Sequence, residues 1–329
     1  MKRLLGLLNY CILVKKEMAE KVLTVKELDK AIPAIAKDKV KIEKLRQKVS
    51  QLETNHVLAK KDARDLSFLE DESIQLAITS PPYWNLKKYD DFDNQLGNID
   101  HYQDFHTELN KVWSETLRVL EPGGRLIVIV GDVLLSRRKF GRHKVVPLHA
   151  DIQVNCEKIG FDNLAPIFWH KISNASFEVN GNSKFLGKPY EPNGIIKHDI
   201  EYILMLRKPG GYRSPSKTQR KLSIISEENF NKWYTQIWNV TGTSSKFHPA
   251  PYPKKVTDRL VQMFSFVGDT VIDPFVGSGT TIMSCCDYGR NSMGFDINAG
   301  YLRKAYKRVR GHLDLLNNEN INIELRIDE

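Results

Sequence analysis

Apolar residues along this chain fall into short continuous runs separated by longer amphipathic stretches. Continuous runs of that length suit strands covered on both faces, and their alternation with helical periods predicts a doubly wound, mostly parallel α/β sheet. Strands are expected at 56–59, 74–79, 125–130, 164–169, 200–206, 271–273 and 292–296, which makes seven. The helix expected at 102–120 places Phe105, Leu109, Val112, Trp113, Thr116, Leu117 and Leu120 on one side, and Pro122-Gly123-Gly124 stops it. Further helices are expected at about 148–160, up to about 266, at 278–288 and up to about 310. No crossover helix separates 164–169 from 200–206, only a loop rich in Asn, Gly and Pro, so these two strands read as an antiparallel edge pair.

Composition narrows the class. The chain has 329 residues, room for one large domain with insertions. Its 49 Lys+Arg against 40 Asp+Glu give a formal charge of +9, which suits a polyanionic partner. Cys11, Cys156, Cys285 and Cys286 show neither metal-ligand spacing nor a disulfide framework, so no metal is expected and the chain reads as cytoplasmic. The apolar run at 4–14 is too short to span a bilayer and lacks a small-residue cleavage site before Lys15-Lys16-Glu17. It reads as a helix packed on the body, or as sequence upstream of a natural start at Met18.

Two stretches carry chemistry. In Thr79-Ser80-Pro81-Pro82-Tyr83-Trp84, two prolines end a buried strand as a stiff corner. The corner offers a hydroxyl, carbonyls outside the ladder and an aromatic face, a set suited to a nucleobase with an exocyclic amino group. The bland reading is a proline-terminated strand before an aromatic loop. Far along the chain, Val271-Ile272-Asp273-Pro274-Phe275-Val276-Gly277-Ser278-Gly279-Thr280-Thr281 reads as strand, glycine turn and helix start. It lacks the lysine of a P-loop and the third glycine of the dinucleotide fingerprint. About twenty residues later, a strand ends at Asp296, where doubly wound folds hold ribose hydroxyls.

On these residues, residues 56–310 resemble the amino-group DNA methyltransferases that use S-adenosylmethionine, in the permuted (beta) subclass where the catalytic corner precedes the cofactor loop. The resemblance implies a circularly permuted Rossmann-like methyltransferase sheet. It implies Ser80, Pro81, Pro82 and Tyr83 as the catalytic corner, and Asp62, His248, Asp273, Phe275, Gly277, Gly279, Thr280 and Asp296 as cofactor contacts. Asp62 would meet the adenine, although Lys60-Lys61 stands where a glycine often precedes the acid. Ser-Pro-Pro-Tyr most often accompanies N4 of cytosine, and Asp-Pro-Pro-Tyr N6 of adenine. The expected reaction is direct methyl transfer to a flipped cytosine. N6-adenine is the alternative, and an RNA or protein acceptor a more distant one.

Four segments follow: a helical N-terminal arm at 1–55, the catalytic half at 56–207, a target-recognition region at 208–246 and the cofactor half at 247–329. The arm could dock on the domain, contact DNA or dimerise. Double-stranded DNA is the expected partner, held by the basic run Arg137, Arg138, Lys139, Arg142 and Lys144 and by Arg213, Lys217, Arg220 and Lys221. The resemblance also implies a restriction endonuclease acting separately, and a monomer or weak homodimer.

Overall fold

The computed structural model describes residues 24–84, 94–135, 137–171, 198–242, 252–316 and 318–327. The apolar run at 4–14, Cys11 and His248 lie outside them. In chain order, the first elements are helices α1 (Val25–Lys37) and α2 (Lys39–Val49), strands β1 (Thr54–Lys60) and β2 (Ile74–Thr79), helix α3 (Tyr102–Val119) and strand β3 (Leu120–Val130). A hairpin of β4 (Val133–Leu135) and β5 (Lys144–Val146), with α4 (Arg137–Phe140) between them, leads to α5 (Leu148–Ile159). Strands β6 (Asp162–His170) and β7 (Ile200–Arg207) precede helices α6 (Lys217–Leu222) and α7 (Glu227–Trp233) and strand β8 (Ile237–Asn239). The chain ends with α8 (Lys254–Phe264), β9 (Thr270–Asp273), α9 (Thr280–Asp287), β10 (Asn291–Asp296), α10 (Ala299–Leu316) and β11 (Ile321–Arg326).

Nine strands, rather than the expected seven, form the main sheet in the order β11-β1-β10-β9-β2-β3-β7-β6-β8. The two additions are edge strands. β11 pairs in parallel with β1 from Thr54↔Ile321 to Ala59↔Arg326, and three-residue β8 pairs in parallel with β6 at its carboxyl end. Each covers peptide groups that would otherwise leave a sheet edge open. β7 alone is reversed, antiparallel to both β3 and β6. At the centre, β2 divides its side chains between two layers. Leu76 and Ile78 pack with Trp169, Val256 and Leu260, and Ala77 packs with Leu109 and Trp113 on the other side.

β3 begins at Leu120, directly after α3, rather than at Arg125. Pro122-Gly123-Gly124 is absorbed into the strand through a register shift opposite Ile74–Leu76. Gly123 takes φ +81 and donates its N–H to the Lys208 carbonyl at 3.0 Å, and a Cβ there would stand 2.6 Å from the Gly211 carbonyl oxygen. The N-terminal arm docks on the domain. Ile42, Leu45 and Val49 of α2 are buried, Val49 against Gly289, and Leu28 is the buried residue of α1. The ion pairs Lys37–Glu227 (3.5 Å) and Arg220–Asp29 (3.4 Å) join the arm to α7 and α6.

Candidate active site

The Ser80–Trp84 corner leaves β2 at the carboxyl rim of the sheet. Pro81, Pro82, Tyr83 and Trp84 are buried and Ser80 is half-exposed. Trp84, with φ +44, anchors the corner, because its indole N–H donates to the Ile99 carbonyl at 2.9 Å and its ring meets Tyr102 edge-on at 5.1 Å. Tyr102 in turn donates to Asp151 at 2.6 Å. The Tyr83 ring lies beside Gly131, where a Cβ would stand 3.5 Å from its Cε2.

The strand and loop of the second stretch stand next to this corner, because β9 pairs with β2. Asp273, at the end of β9, is fully buried. Its Oδ1 accepts from Thr79 Oγ1 (2.8 Å) and Phe275 N (3.1 Å), and its Oδ2 from Thr281 Oγ1 (2.7 Å) and Tyr252 OH (3.0 Å). Burial raises its pKa, and those donors oppose the rise. The carboxylate therefore faces protein on every side and ties the last residue of β2 to the glycine loop. Gly279 likewise turns inward. It takes φ +76 at the start of α9, and a Cβ there would stand 3.1 Å from Val309 and 3.3 Å from Ala305. Its lack of a side chain serves the packing of α10. Thr280 Oγ1 accepts from Arg308 at 3.0 Å.

One cavity gathers the rest. Its lining includes Asp62, Ser80, Pro82, Phe275, Gly277, Asp296, Ile297 and Tyr301. Asp296 accepts the N–H groups of Asn298 (2.8 Å) and Gly277, and burial with nearby Asp273 holds its pKa up at about 7. Asp62 follows β1, the strand that pairs with β10, and is held by Arg64. Burial pushes the Asp62 pKa up, but the Arg64 hydrogen bonds more than offset this and leave it below the usual carboxylate value. These groups could hold an adenosyl group, with Phe275 and Ile297 as apolar walls and the Asp296 and Asp62 carboxylates as acceptors for hydroxyls and an amino group. Among the described residues, no His, Cys, Asp and Glu cluster could hold a metal ion.

Several polar groups at the same rim escaped sequence reading. Asp132 follows β3, and its Oδ1 lies 2.6 Å from His149 Nδ1. The His149 ring stacks on Tyr202 at the start of β7, centroids 3.6 Å apart and planes at 2°. Glu201, whose Cγ would also stand 3.3 Å from a Cβ at Gly131, pairs with Lys171. The signal available was positional: Asp132 closes a buried strand, as Asp62 and Asp296 do.

The basic residues divide. Arg137, Arg138, Arg142 and Lys144 are exposed on the β4–β5 hairpin, which leaves β3 at the carboxyl rim, and the Lys139 side chain lies outside the described residues. The 208–246 segment splits: its first part, through Ser223, lies away from this rim, and β8 brings the chain back beside the last residues of β6. β7 runs away from the rim, so the chain emerges at the opposite end of the sheet, separated by the length of a six-residue strand, roughly 20 Å. There Arg213 pairs with Glu121 at the start of β3 (2.8 Å) and with Asp269 before β9, and Ser223 accepts the Val267 N–H at 2.8 Å. Arg220 pairs with Asp29 of the arm. Lys217 and Lys221 belong to the same short helix, α6. These four cations sit with the arm and the amino ends of the strands, away from Ser80.

Residues 74–307 match the DNA methylase family of N6/N4 methyltransferases. The chain is 35% identical over 276 residues to the type II methyltransferase M.MjaI of Methanocaldococcus jannaschii, across 74% of this chain and 88% of that protein. It is 42% identical to TTHA0409 of Thermus thermophilus, a candidate DNA modification methylase solved with S-adenosyl-L-methionine. That likeness has a TM-score of 0.67 and covers 84% of this chain and 99% of the other. PvuII DNA methyltransferase, at 18% identity and TM-score 0.55, shares the fold across 83% of this chain and 96% of its own. The corner of β2, the loop after β9 and the shared cavity thus lie in a chain that belongs to the N6/N4 DNA methylase family and takes S-adenosylmethionine as its cofactor.

Proposed function

We propose that this enzyme methylates the exocyclic N4 of cytosine in duplex DNA, with the target base turned out of the stack. The observation that carries the reading is that Ser80, the first residue of the corner, opens onto the cavity shared by Asp62 and Asp296. A nucleobase amine is a weak nucleophile, because its lone pair is delocalised into the ring. The Ser80 hydroxyl and the backbone carbonyls of the corner act as acceptors that draw its protons and favour a tetrahedral nitrogen. Pro81 and Pro82 hold those acceptors outside the ladder, and the Tyr83 ring offers a stacking face. When bound, the cofactor supplies an electrophilic methyl group on a sulfonium. The rate gain attributed to the protein comes from alignment and from acceptors set in place before reaction. Extruding the base costs about a few kcal/mol, and stacking returns part of it.

DNA would lie across the carboxyl rim, against Arg137, Arg138, Arg142 and Lys144. The order of corner first and cofactor loop second reads as a circular permutation of the doubly wound fold. The pairing of β1 with β11 supports this, since it places the start and the end of the sheet side by side. A role as the modifying partner of a separate restriction endonuclease follows the type II designation of M.MjaI.

The raised pKa of Asp296 gives this reading a pH test. Ribose hydroxyls donate to the ionised carboxylate, so binding requires loss of a proton held up to about pH 7. Between pH 8 and pH 6 the Kd for S-adenosylmethionine should rise about tenfold by this linkage, and Asp296→Asn should flatten the profile at the weaker value. Calorimetric titration in the absence of DNA checks both.

The decisive experiment is mass spectrometry of nucleosides from DNA treated with purified enzyme and labelled cofactor. Label in N4-methylcytosine supports the proposal. Label in N6-methyladenine leaves the mechanism intact and overturns the base, since the same acceptors serve either amino group. Label in RNA or protein alone overturns the DNA target.

A further inference from the structure

Arg64 touches three separate segments around the cofactor cavity. Its Nε lies 3.0 Å from both oxygens of Asp62, and its Nη2 lies 2.5 Å from Asp62 Oδ2. Its Nη1 donates to Glu108 of α3 at 2.7 Å. Nη2 also reaches the Asn94 carbonyl at a longer 3.4 Å. Asp62 and Asn94 both line the cavity, Asn94 with left-handed backbone at φ +70. The side chain is 17% exposed. Its planar fork is therefore the common fastening of the loop after β1, the wall at Asn94–Leu96 and α3, a geometry that a lysine ammonium cannot reproduce. A surface pair of two residues' separation would ordinarily carry little meaning. Here the cation is enclosed, uses both edges of its guanidinium and has a second carboxylate from a different element.

We propose that Arg64 is a positioning residue for cofactor binding: it holds the Asp62 carboxylate in its acceptor orientation and fixes the Asn94 wall of the same cavity. The inference rests on the reading that Asp62 faces the adenosyl end of the cofactor. Glu108 serves as the outer anchor that keeps the guanidinium from swinging with Asp62. Losing the Arg64 side chain leaves the Asp62 carboxylate held through the backbone N–H of residue 64 to Oδ1 (3.0 Å), with Oδ2 released, and loosens the wall at Asn94, so the effect falls on cofactor affinity, with turnover at saturating cofactor largely kept.

The test is titration of S-adenosylmethionine alone into the intact protein and its Asp62→Asn, Arg64→Gln, Arg64→Lys, Glu108→Gln and Asp62→Asn/Arg64→Gln variants. Thermal unfolding is followed in parallel. Charged hydrogen bonds of this kind predict a Kd about ten- to hundredfold weaker for Arg64→Gln, with Arg64→Lys recovering part and Glu108→Gln losing about threefold. The loss in the double variant should be clearly smaller than the sum of the two single losses, because Arg64 acts largely through Asp62. In steady-state assays, KM for the cofactor should rise while kcat changes little. Wild-type affinity in Arg64→Gln and Arg64→Lys, with Asp62→Asn weakened, would overturn the inference and leave the Asp62 contact standing. Fully additive losses would also overturn it. An unchanged Kd in Asp62→Asn would remove the underlying contact as well. Since no DNA is present, none of these outcomes depends on which base is methylated.

Discussion

Replacing Ser80 by alanine is expected to lower kcat by about a hundred- to thousandfold, the usual cost of deleting one fixed polar group at a reacting centre. The Kd for S-adenosylmethionine should stay within about twofold, because the loss falls on an interaction that strengthens only as the transition state forms. Ser80 is half-exposed at the cavity, while the prolines after it are buried. No hydrogen bond occupies its hydroxyl among the described residues, so removing it leaves no orphaned partner inside the protein. Single-turnover methylation with saturating cofactor, beside a cofactor titration, separates the two quantities. Unchanged turnover would transfer the acceptor role to the backbone carbonyls of the corner.

Asp273→Ala should act on the fold rather than on chemistry. The side chain accepts from the hydroxyls of Thr79, Thr281 and Tyr252 and from the Phe275 N–H. Alanine removes the shared acceptor of this buried network, leaving only the Phe275 N–H to Thr79 Oγ1 contact (3.2 Å) and the Tyr252–Thr281 hydroxyl pair (2.8 Å), and opens a small cavity between β2 and the glycine loop. Together these effects cost about 3–5 kcal/mol. For a domain of this size that corresponds to a fall in Tm of roughly 10 °C. Asp273→Asn keeps the shape and one acceptor oxygen, and the hydroxyls can rotate to accept from the amide, so it should lose less than half as much. Thermal unfolding of both variants without cofactor checks the order. Equal stability of wild type and Asp273→Ala would show that the network carries no load in the folded state.

The contrast between Asp273 and Asp296 shows where local reading ends. Both close apolar strands, and both read from sequence as cofactor contacts. Only Asp296 opens onto the cavity, whereas Asp273 is enclosed by Thr79 from a neighbouring strand and Tyr252 from the segment before α8. Nothing near Asp273 in the chain announces those partners. Gly279 makes the same point, since its requirement for no side chain is set by Val309 and Ala305 of α10. Arg64 stands two residues from Asp62, yet its second anchor, Glu108, lies on α3.

What the chain determined by itself was whatever local physics governs. Continuous apolar runs specify strands, prolines end β2 as a corner, and glycines turn the loop into α9. Those features were enough to place Ser80 and Asp296 at strand ends and to indicate the fold class. What only the tertiary structure decided was the strand order and which member of the antiparallel β6–β7 pair is the reversed one. β7 pairs antiparallel with β3, from Arg125↔Arg207 to Val130↔Tyr202. That single reversal carries residues 208–223 to the amino rim, where Arg213 meets Glu121 and Asp269 and Ser223 meets Val267, before β8 returns the chain to the end of β6. The same cations would have faced the substrate had the strand run the other way. The missing crossover helix marks β6 and β7 as antiparallel to each other, as they are, but which of the two opposes β3 is a long-range pairing choice that no local run of residues encodes.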